Sequence, residues 1–466
     1  MTLLQFNDVY EITPTGDGSV GGLARVATLL RELRDANPNT FAVLAGDALS
    51  PSALGTASVD GERLQGRQMV AVLNAVGLDF ATFGNHEFDL DETAFRARLA
   101  ESSFQWLSAN VAAASGPPLS NTARHHVLRI PGNAGDTFRV ALFGVTMDRD
   151  RSDYVRLDEP VAAAIRHATM LLDSADAIIA ITHLPRAQDA TLAEAVPGIN
   201  LIAGGHEHDN ILIYRGPGPT PIAKADANVR SVYVHEITWM PATGAVDVRS
   251  SLVPVTDALH ADTATARIAD EWVQRAYEGF RVTGFDPDRI VAVTTVSLDG
   301  LESSILRDTT TLTRLVAEAM LAEAGDAVAA VYNAGSIRID DVMPPGPVSE
   351  YDVIRILPFG GPIVEVDISG ALLRRLLEQG ERNRGTGGFV QMASIGRDEG
   401  GNWRVAGSPL DDARTYRIAI SDFMLTGREQ GMDWLTRDHA SLRVVAEHRD
   451  VRLALIDRLA QAFAQR

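Results

Sequence analysis

A chain of 466 residues, 45% hydrophobic and 22% charged, has room for two large domains or three small ones, and this composition excludes a largely disordered polypeptide. Acidic residues outnumber basic ones by 61 to 42, and the formal charge of −19 repels nucleic acid and anionic membranes at long range, so a small anionic substrate needs a local island of positive charge. No cysteine is present, which removes disulfides, thiolate zinc sites and a cysteine nucleophile, and leaves His, Asp, Glu, Asn and Tyr as metal donors.

The chain runs at once into a strand-like segment at 3–6, without a basic or apolar leader pattern. It holds no uninterrupted apolar run of about 18 residues that could span a membrane. A cytoplasmic location is therefore expected, or an exported one if a leader was removed. Further apolar runs at 41–44, 80–83, 140–145, 177–181 and 200–203 alternate with amphipathic segments, which predicts a layered α/β fold. Residues 22–37 place Leu23, Val26, Ala27, Leu30 and Leu33 on one helical face. From 232 to 254 the pattern is strands alone, at 231–238 and 245–252. A long helix is predicted over 263–284, carrying Ile268, Trp272, Ala276 and Phe280, and Phe285-Asp286-Pro287 breaks it. The remainder reads as a mixed α/β domain with helices at 309–324 and 369–382 and strands at 327–332, 363–366 and 416–420. The expected division is 1–260, a linker helix and hinge over 261–288, and 289–466.

Five strand-like runs of the first half end in polar clusters: Asn7-Asp8-Val9-Tyr10, Gly46-Asp47, Gly84-Asn85-His86-Glu87-Phe88-Asp89, Thr182-His183 and Gly204-Gly205-His206-Glu207-His208. In α/β sheets the loops after the strands converge on one crevice. Carboxylates that neutralise paired dications, one of them able to bridge, together with imidazoles and an amide oxygen, are the donors of a binuclear centre. Two metals about 3.5–4 Å apart activate water and stabilise in-line displacement at phosphorus.

The order and wording of these clusters resemble the calcineurin-like metallophosphoesterase superfamily, whose pattern runs Asp-x-His, Gly-Asp, Gly-Asn-His-Glu, His and Gly-His-x-His. The form Gly-Asn-His-Glu-Phe-Asp with a long C-terminal domain resembles the 5′-nucleotidase branch, including the bifunctional UDP-sugar hydrolase type. The resemblance implies an N-terminal four-layer α/β/β/α catalytic sandwich followed by a mixed α/β substrate-binding domain. It implies that Asp8, Asp47 and His208 hold one metal and that Asp47, Asn85, His183 and His206 hold the other, with Asp47 bridging. His86 and Asp89 would form the dyad that stabilises the transferring phosphoryl group. Tyr10 stands where the pattern has a histidine ligand. A phenol ligates poorly until ionised, and its ordinary pKa is near 10. The first site is then weaker, more water-filled, or selective for a harder, more oxidised ion.

In the second half, Asn333-Ala334-Gly335-Ser336-Ile337-Arg338 resembles the Asn-x-Gly-x-x-Arg motif of the 5′-nucleotidase C-terminal domain. Arg338 would clamp the substrate phosphate through its planar donors. Leu357-Pro358-Phe359-Gly360-Gly361 and Gly387-Gly388-Phe389 match the same family, and Phe389 would form one side of a base sandwich. Met432 stands where the pattern expects the second aromatic ring, with Trp434 as its candidate replacement, and Asp438 lies where a ribose-binding carboxylate would sit. Set against these, His167, His235 and His448 read as filler, His125-His126 as structural, Glu87 and Glu207 as loop braces, and Arg375, Arg382 and Arg384 as solvated helix arginines.

The resulting expectation is hydrolysis of phosphate monoesters, nucleoside 5′-monophosphates foremost, with two divalent ions (Mn, Zn, Co or Fe) as cofactors. Its partner is a small phosphate ester rather than nucleic acid or a membrane, and the oligomeric state is open. The alternatives are a phosphoesterase for sugar nucleotides, cyclic nucleotides or non-nucleotide phosphates, and a non-catalytic nucleotide-binding protein.

Overall fold

The apolar run that opens the chain becomes a fully buried strand, Thr2–Phe6, paired in parallel with Thr40–Ala45 on one side and antiparallel with Ser231–Met240 on the other. A computed structural model describes residues 1–16, 18–132, 135–148 and 152–464. These form two compact units, Met1–Gly279 and Phe280–Arg466, and the division falls within the helix Thr263–Val282.

The first unit is built on two sheets. One has seven strands in the order Ala245–Pro254, Ser231–Met240, Thr2–Phe6, Thr40–Ala45, Phe80–Thr82, Gln105–Leu107 and Thr122–Ala123. The other has six, in the order Ile211–Arg215, Thr220–Lys224, Leu201–Gly204, Ala177–His183, Thr137–Thr146 and His125–Pro131. Alternate residues of a strand face opposite sides. Leu3, Val43, Ala45, Leu107, Val140, Leu142, Ile179 and Ile181 therefore fill one buried layer between the sheets. On the outer face of the six-stranded sheet, Ala164, Ala168 and Leu171 of one helix and Leu192 and Ala193 of the next cover Phe143, Ile178 and Ala180. Helices Leu23–Ala36 and Arg67–Val76 cover the seven-stranded sheet. Four layers, α/β/β/α, result.

The inner strands are parallel, so their C-terminal ends lie at the same end of each sheet. Each polar cluster follows one of those ends.

The second unit has a five-stranded mixed sheet in the order Val390–Ala393, Ala329–Asn333, Thr415–Ser421, Pro362–Ser369 and Leu442–Asp450. Helix Gly370–Arg382 buries Leu372, Leu373, Leu376 and Leu377 against Val331, Val364, Val366 and Ile418. Helices Thr311–Glu323 and Val451–Ala462 pack on each other against the sheet. The strand Leu442–Asp450 and the helix after it are absent from the sequence reading. That strand alternates partly buried and exposed residues at the sheet edge, so its apolar signal is weak. No helix among the described residues is long and apolar enough to cross a membrane.

Candidate active site

Two of the loops that carry carboxylates are held in backbone conformations most residues avoid. Asp8 and Asp47 have φ of 52° and 56°, a left-handed geometry that costs of order 1–3 kcal/mol unless the surroundings compensate. Compensation comes from hydrogen bonds between the loops. Asp8 N–H donates to Gly46 O at 3.0 Å and Val9 N–H to Asp47 O at 2.8 Å. Asn7 accepts from Ala225 N–H at 2.8 Å and donates to Asp8 Oδ2 at 2.8 Å. Gly84 is required by close approach, since a Cβ there would fall 2.0 Å from Asp47 Oδ1.

The donor atoms converge from both sheets. Asp8, Asp47 and His183, all buried, offer one ligand atom each within 4.8 Å of one another. His183 Nε2 lies 3.1 Å from Asp47 Oδ2 and 3.9 Å from Asp8 Oδ1. His208 Nε2 lies 3.5 Å from Asp8 Oδ1. The hydroxyl of Tyr10 is 3.2 Å from His208 Nε2, 3.4 Å from Asp8 Oδ1 and 3.5 Å from Asp47 Oδ2. His206 donates its backbone N–H to Asp8 Oδ2 at 2.9 Å, and its ring meets His183 edge-on with centroids 5.4 Å apart. Asn85 is buried at the start of the one-turn helix His86–Asp89, and His86 N–H donates to Asp47 Oδ1 at 2.8 Å.

These residues fit a metal. His183 Nδ1 is 2.8 Å from Ala45 O, and a carbonyl only accepts, so Nδ1 carries a proton. In the neutral ring Nε2 is then a lone pair, and this buried nitrogen makes no hydrogen bond while facing two carboxylates. Acceptors aimed at one another in a dry site require a cation between them, either a proton or a metal. Burial acts to lower the pKa of His183, but the Asp47 and Asp8 carboxylates outweigh it and raise the value to about 9. Burial would raise Asp47 and Asp8, yet the adjacent His183 imidazole holds both below the usual carboxylate range, with help from His86 on Asp47 and His208 on Asp8. Burial and the His183 charge push His206 down to about 4. Donors bound about 2.0–2.2 Å from one ion lie about 2.8–3.6 Å apart, and the shorter separations above fall in that interval.

Beside the donors, His86 Nδ1 pairs with Asp89 Oδ2 at 2.8 Å, and the same oxygen accepts from Ser50 Oγ at 2.9 Å. Glu87 and Glu207 brace loops, as the sequence suggested. The Glu207 carboxylate accepts Arg186 N–H at 2.7 Å and pairs with Lys224.

Sequence reasoning missed Lys224 altogether. Its fully buried ammonium reaches Asp189 at 2.8 Å, Leu184 O at 2.6 Å and Gly205 O at 2.8 Å, which ties the start of the His206–His208 loop to the sheet. Burial would lower its pKa, but Asp189 and Glu207 raise it. The only signal was a lysine ending an otherwise apolar strand, Thr220–Lys224.

His235, with the Gln5 and Ser250 side chains at 2.8 Å, is buried in the core, and His125 pairs with His167 at 3.1 Å.

In the second unit Asn333 is buried and accepts from Ser336 Oγ at 2.7 Å, and Arg338 is partly buried. Phe389 is only 3% exposed, and the Arg384 guanidinium lies over its ring, 4.5 Å from the centroid. Met432 is fully buried in the core of the sheet. Trp434 is partly buried, bonds through Nε1 to Gly431 O at 2.9 Å and carries Arg375 4.0 Å above its ring. Asp438 is exposed. The open ring beside Arg338 is Phe359, 55% exposed, with its centroid 5.8 Å from the guanidinium carbon.

The calcineurin-like phosphoesterase family model matches residues 1–210, and the 5′-nucleotidase C-terminal domain model matches residues 290–437. Among curated relatives, the trifunctional nucleotide phosphoesterase protein YfkN of Bacillus subtilis is 25% identical across 91% of this chain, which spans only 33% of that longer protein. A snake venom 5′-nucleotidase from Naja atra is 24% identical over 92% of this chain and 90% of its own length. The solved 5′-nucleotidase precursor of Thermus thermophilus superposes with a TM-score of 0.82 over 99% of this chain and 96% of that one, at 23% identity, and shares its fold.

Proposed function

We propose that this chain, a member of the 5′-nucleotidase family of calcineurin-like metallophosphoesterases, is a phosphoric ester hydrolase that cleaves phosphate monoesters, nucleoside 5′-monophosphates foremost, at a binuclear metal centre. Asp8, Asp47 and His208 hold one ion and Asp47, Asn85, His183 and His206 the other. Two bound cations supply a nucleophile at neutral pH and neutralise charge on the phosphoryl oxygens. The oxygen and nitrogen donor set suits Mn, Zn, Co or Fe.

His86 acts as the imidazolium. Asp89 accepts its Nδ1–H, which fixes the ring and leaves Nε2–H to donate to a phosphoryl oxygen, and Ser50 holds the Asp89 oxygen in place. Residues 289–466 form the substrate-binding domain and 261–288 its linker. There Arg338 supplies planar donors for phosphate, Asn333 shapes its loop, Phe359 offers a stacking face, and Asp438 is the candidate for the ribose hydroxyls.

The observation that carries this reading is the buried Nε2 of His183, which faces the Asp47 and Asp8 carboxylates without a hydrogen bond. A second reading, an ester without a nucleobase, is favoured by the burial of Met432 and by the covered ring of Phe389. One experiment tests both. The chelated protein is reloaded with Mn, Zn, Co or Fe, and phosphate release from a nucleotide panel is compared with release from a simple aryl phosphate, beside His86→Ala. Metal-restored, His86-dependent turnover with a preference for AMP supports the first reading. Equal turnover of the aryl phosphate supports the second, and no turnover of any ester sinks both.

A further inference from the structure

Tyr10 has no part in the chemistry above, yet its hydroxyl lies inside the donor cluster. The ring is 5% exposed and tilts against His208, with centroids 5.6 Å apart. Its backbone is pinned as firmly as that of Asp8. Tyr10 N–H and Glu11 N–H both donate to Asn228 Oδ1, at 2.9 and 3.2 Å, and Asn228 N–H donates to Asp8 O at 2.8 Å. The hydroxyl is thus delivered to its place by the same loop that delivers Asp8.

The three distances from Tyr10 Oη to Asp8, Asp47 and His208 are 3.4, 3.5 and 3.2 Å. A phenol donating to a carboxylate normally sits at about 2.7–2.8 Å, and one hydroxyl has a single proton for two carboxylates. Separations of 3.2 to 3.5 Å from three different donors also match those between neighbouring ligands of one ion.

We propose that Tyr10 is itself a ligand of the first metal, bound as phenolate, and that it makes this position selective for a hard trivalent cation such as ferric iron. As the metal–oxygen bond forms, the phenolic O–H bond breaks and its proton passes to solvent. The proposal rests on the binuclear reading and adds a division of labour within it. The first position then collects three anionic oxygens, from Asp8, Asp47 and Tyr10, with one imidazole from His208. The second collects the shared Asp47, the neutral amide of Asn85 and two imidazoles. Hard anionic oxygen donors match a small, highly charged ion, whereas imidazole-rich sites suit divalent zinc or iron. Where the family pattern has a neutral histidine, the phenolate adds one negative charge, and a trivalent ion balances it.

The test reads colour and metal content rather than turnover. Chelated protein is reloaded with ferric iron or with zinc, and bound metal per chain is counted beside the visible spectrum. An iron(III)–phenolate bond produces a visible charge-transfer band that zinc cannot give. The expected result is a coloured ferric form of the native protein. Tyr10→Phe and Tyr10→His should bind iron without the band, and the ferric-over-zinc preference of Tyr10→His should fall about 10-fold or more, since even losing an outer-shell partner costs about 10–100-fold in metal affinity. Iron bound to the native protein without the band, or a band that persists in Tyr10→Phe, overturns the proposal. Absence of any bound metal overturns the binuclear reading with it, and the metal count separates that outcome from the former.

Discussion

The carboxylate of Glu87 accepts the backbone N–H of Asp47 at 3.0 Å, and with it those of Ala48 at 2.7 Å, Leu49 at 3.1 Å and Gly84 at 2.5 Å. Two loops that leave neighbouring strands are thereby tied to one buried side chain. Burial, and then the Asp47 charge, push the pKa of Glu87 up. The backbone donors of Ala48, Leu49 and Gly84 oppose both effects.

Glu87→Ala should therefore leave several buried N–H groups unpaired and destabilise the metal-free protein by about 3–5 kcal/mol. Denaturant unfolding of the chelated protein measures this. A loss below about 1 kcal/mol would mean that water replaces the carboxylate and that the brace is dispensable.

His86→Ala should lower kcat by about 100- to 1,000-fold, as expected for one donor aimed at a transferring group, while both metals stay bound. Asp89→Asn should give a similar loss by disturbing the ring tautomer, and Ser50→Ala a smaller one. Steady-state kinetics beside metal analysis decide the point, and loss of metal in His86→Ala would recast the residue as a ligand.

The two phenylalanines of the second unit should separate cleanly. Phe359→Ala should raise KM for AMP by the loss of about 1–3 kcal/mol of stacking, with stability unchanged. Phe389→Ala should cost about 3–5 kcal/mol of stability, because its ring is buried. Should Phe389→Ala raise KM alone, the ring would be a substrate contact.

His235 should make folding sensitive to acid. Burial lowers its pKa to about 3, from an ordinary 6.5. The folded protein thus holds a neutral ring where the unfolded chain binds a proton. Its contribution is complete above pH 6.5 and is lost as pH falls from 6.5 toward 3. The full term is of order 4–5 kcal/mol. The slope of stability against pH in that window should flatten in His235→Gln, and an unchanged slope would assign the acid sensitivity to other groups.

The layout of the candidate site was legible because each polar cluster follows a strand whose apolar run is visible locally. The runs at 41–44 and 177–181 appear as Thr40–Ala45 and Ala177–His183, and Asp47 and His183 stand at their ends. Its bracing was not legible. Lys224 meets Asp189, and Gln5 meets Gly204 O at 2.9 Å, across separations that no local pattern records.

In the second unit the sequence supplied motifs without exposure. Phe389, Met432 and Phe359 are all apolar residues beside glycines, and nothing in their spacing says which ring faces solvent. That depended on helix Gly370–Arg382 covering Met432, on Arg384 covering Phe389, and on the turn after Ile356 leaving Phe359 open.

By itself the sequence determined the layered α/β class and the order of the polar loops that carry the candidate donors, because strand and helix periodicities and polar strand ends are local properties of the chain. The tertiary structure alone decided which donors face one another, how Glu87 and Lys224 hold them there, and that the Tyr10 hydroxyl lies among them. Those facts depend on two sheets closing over a shared core, and so on contacts between residues about 40 to 220 positions apart.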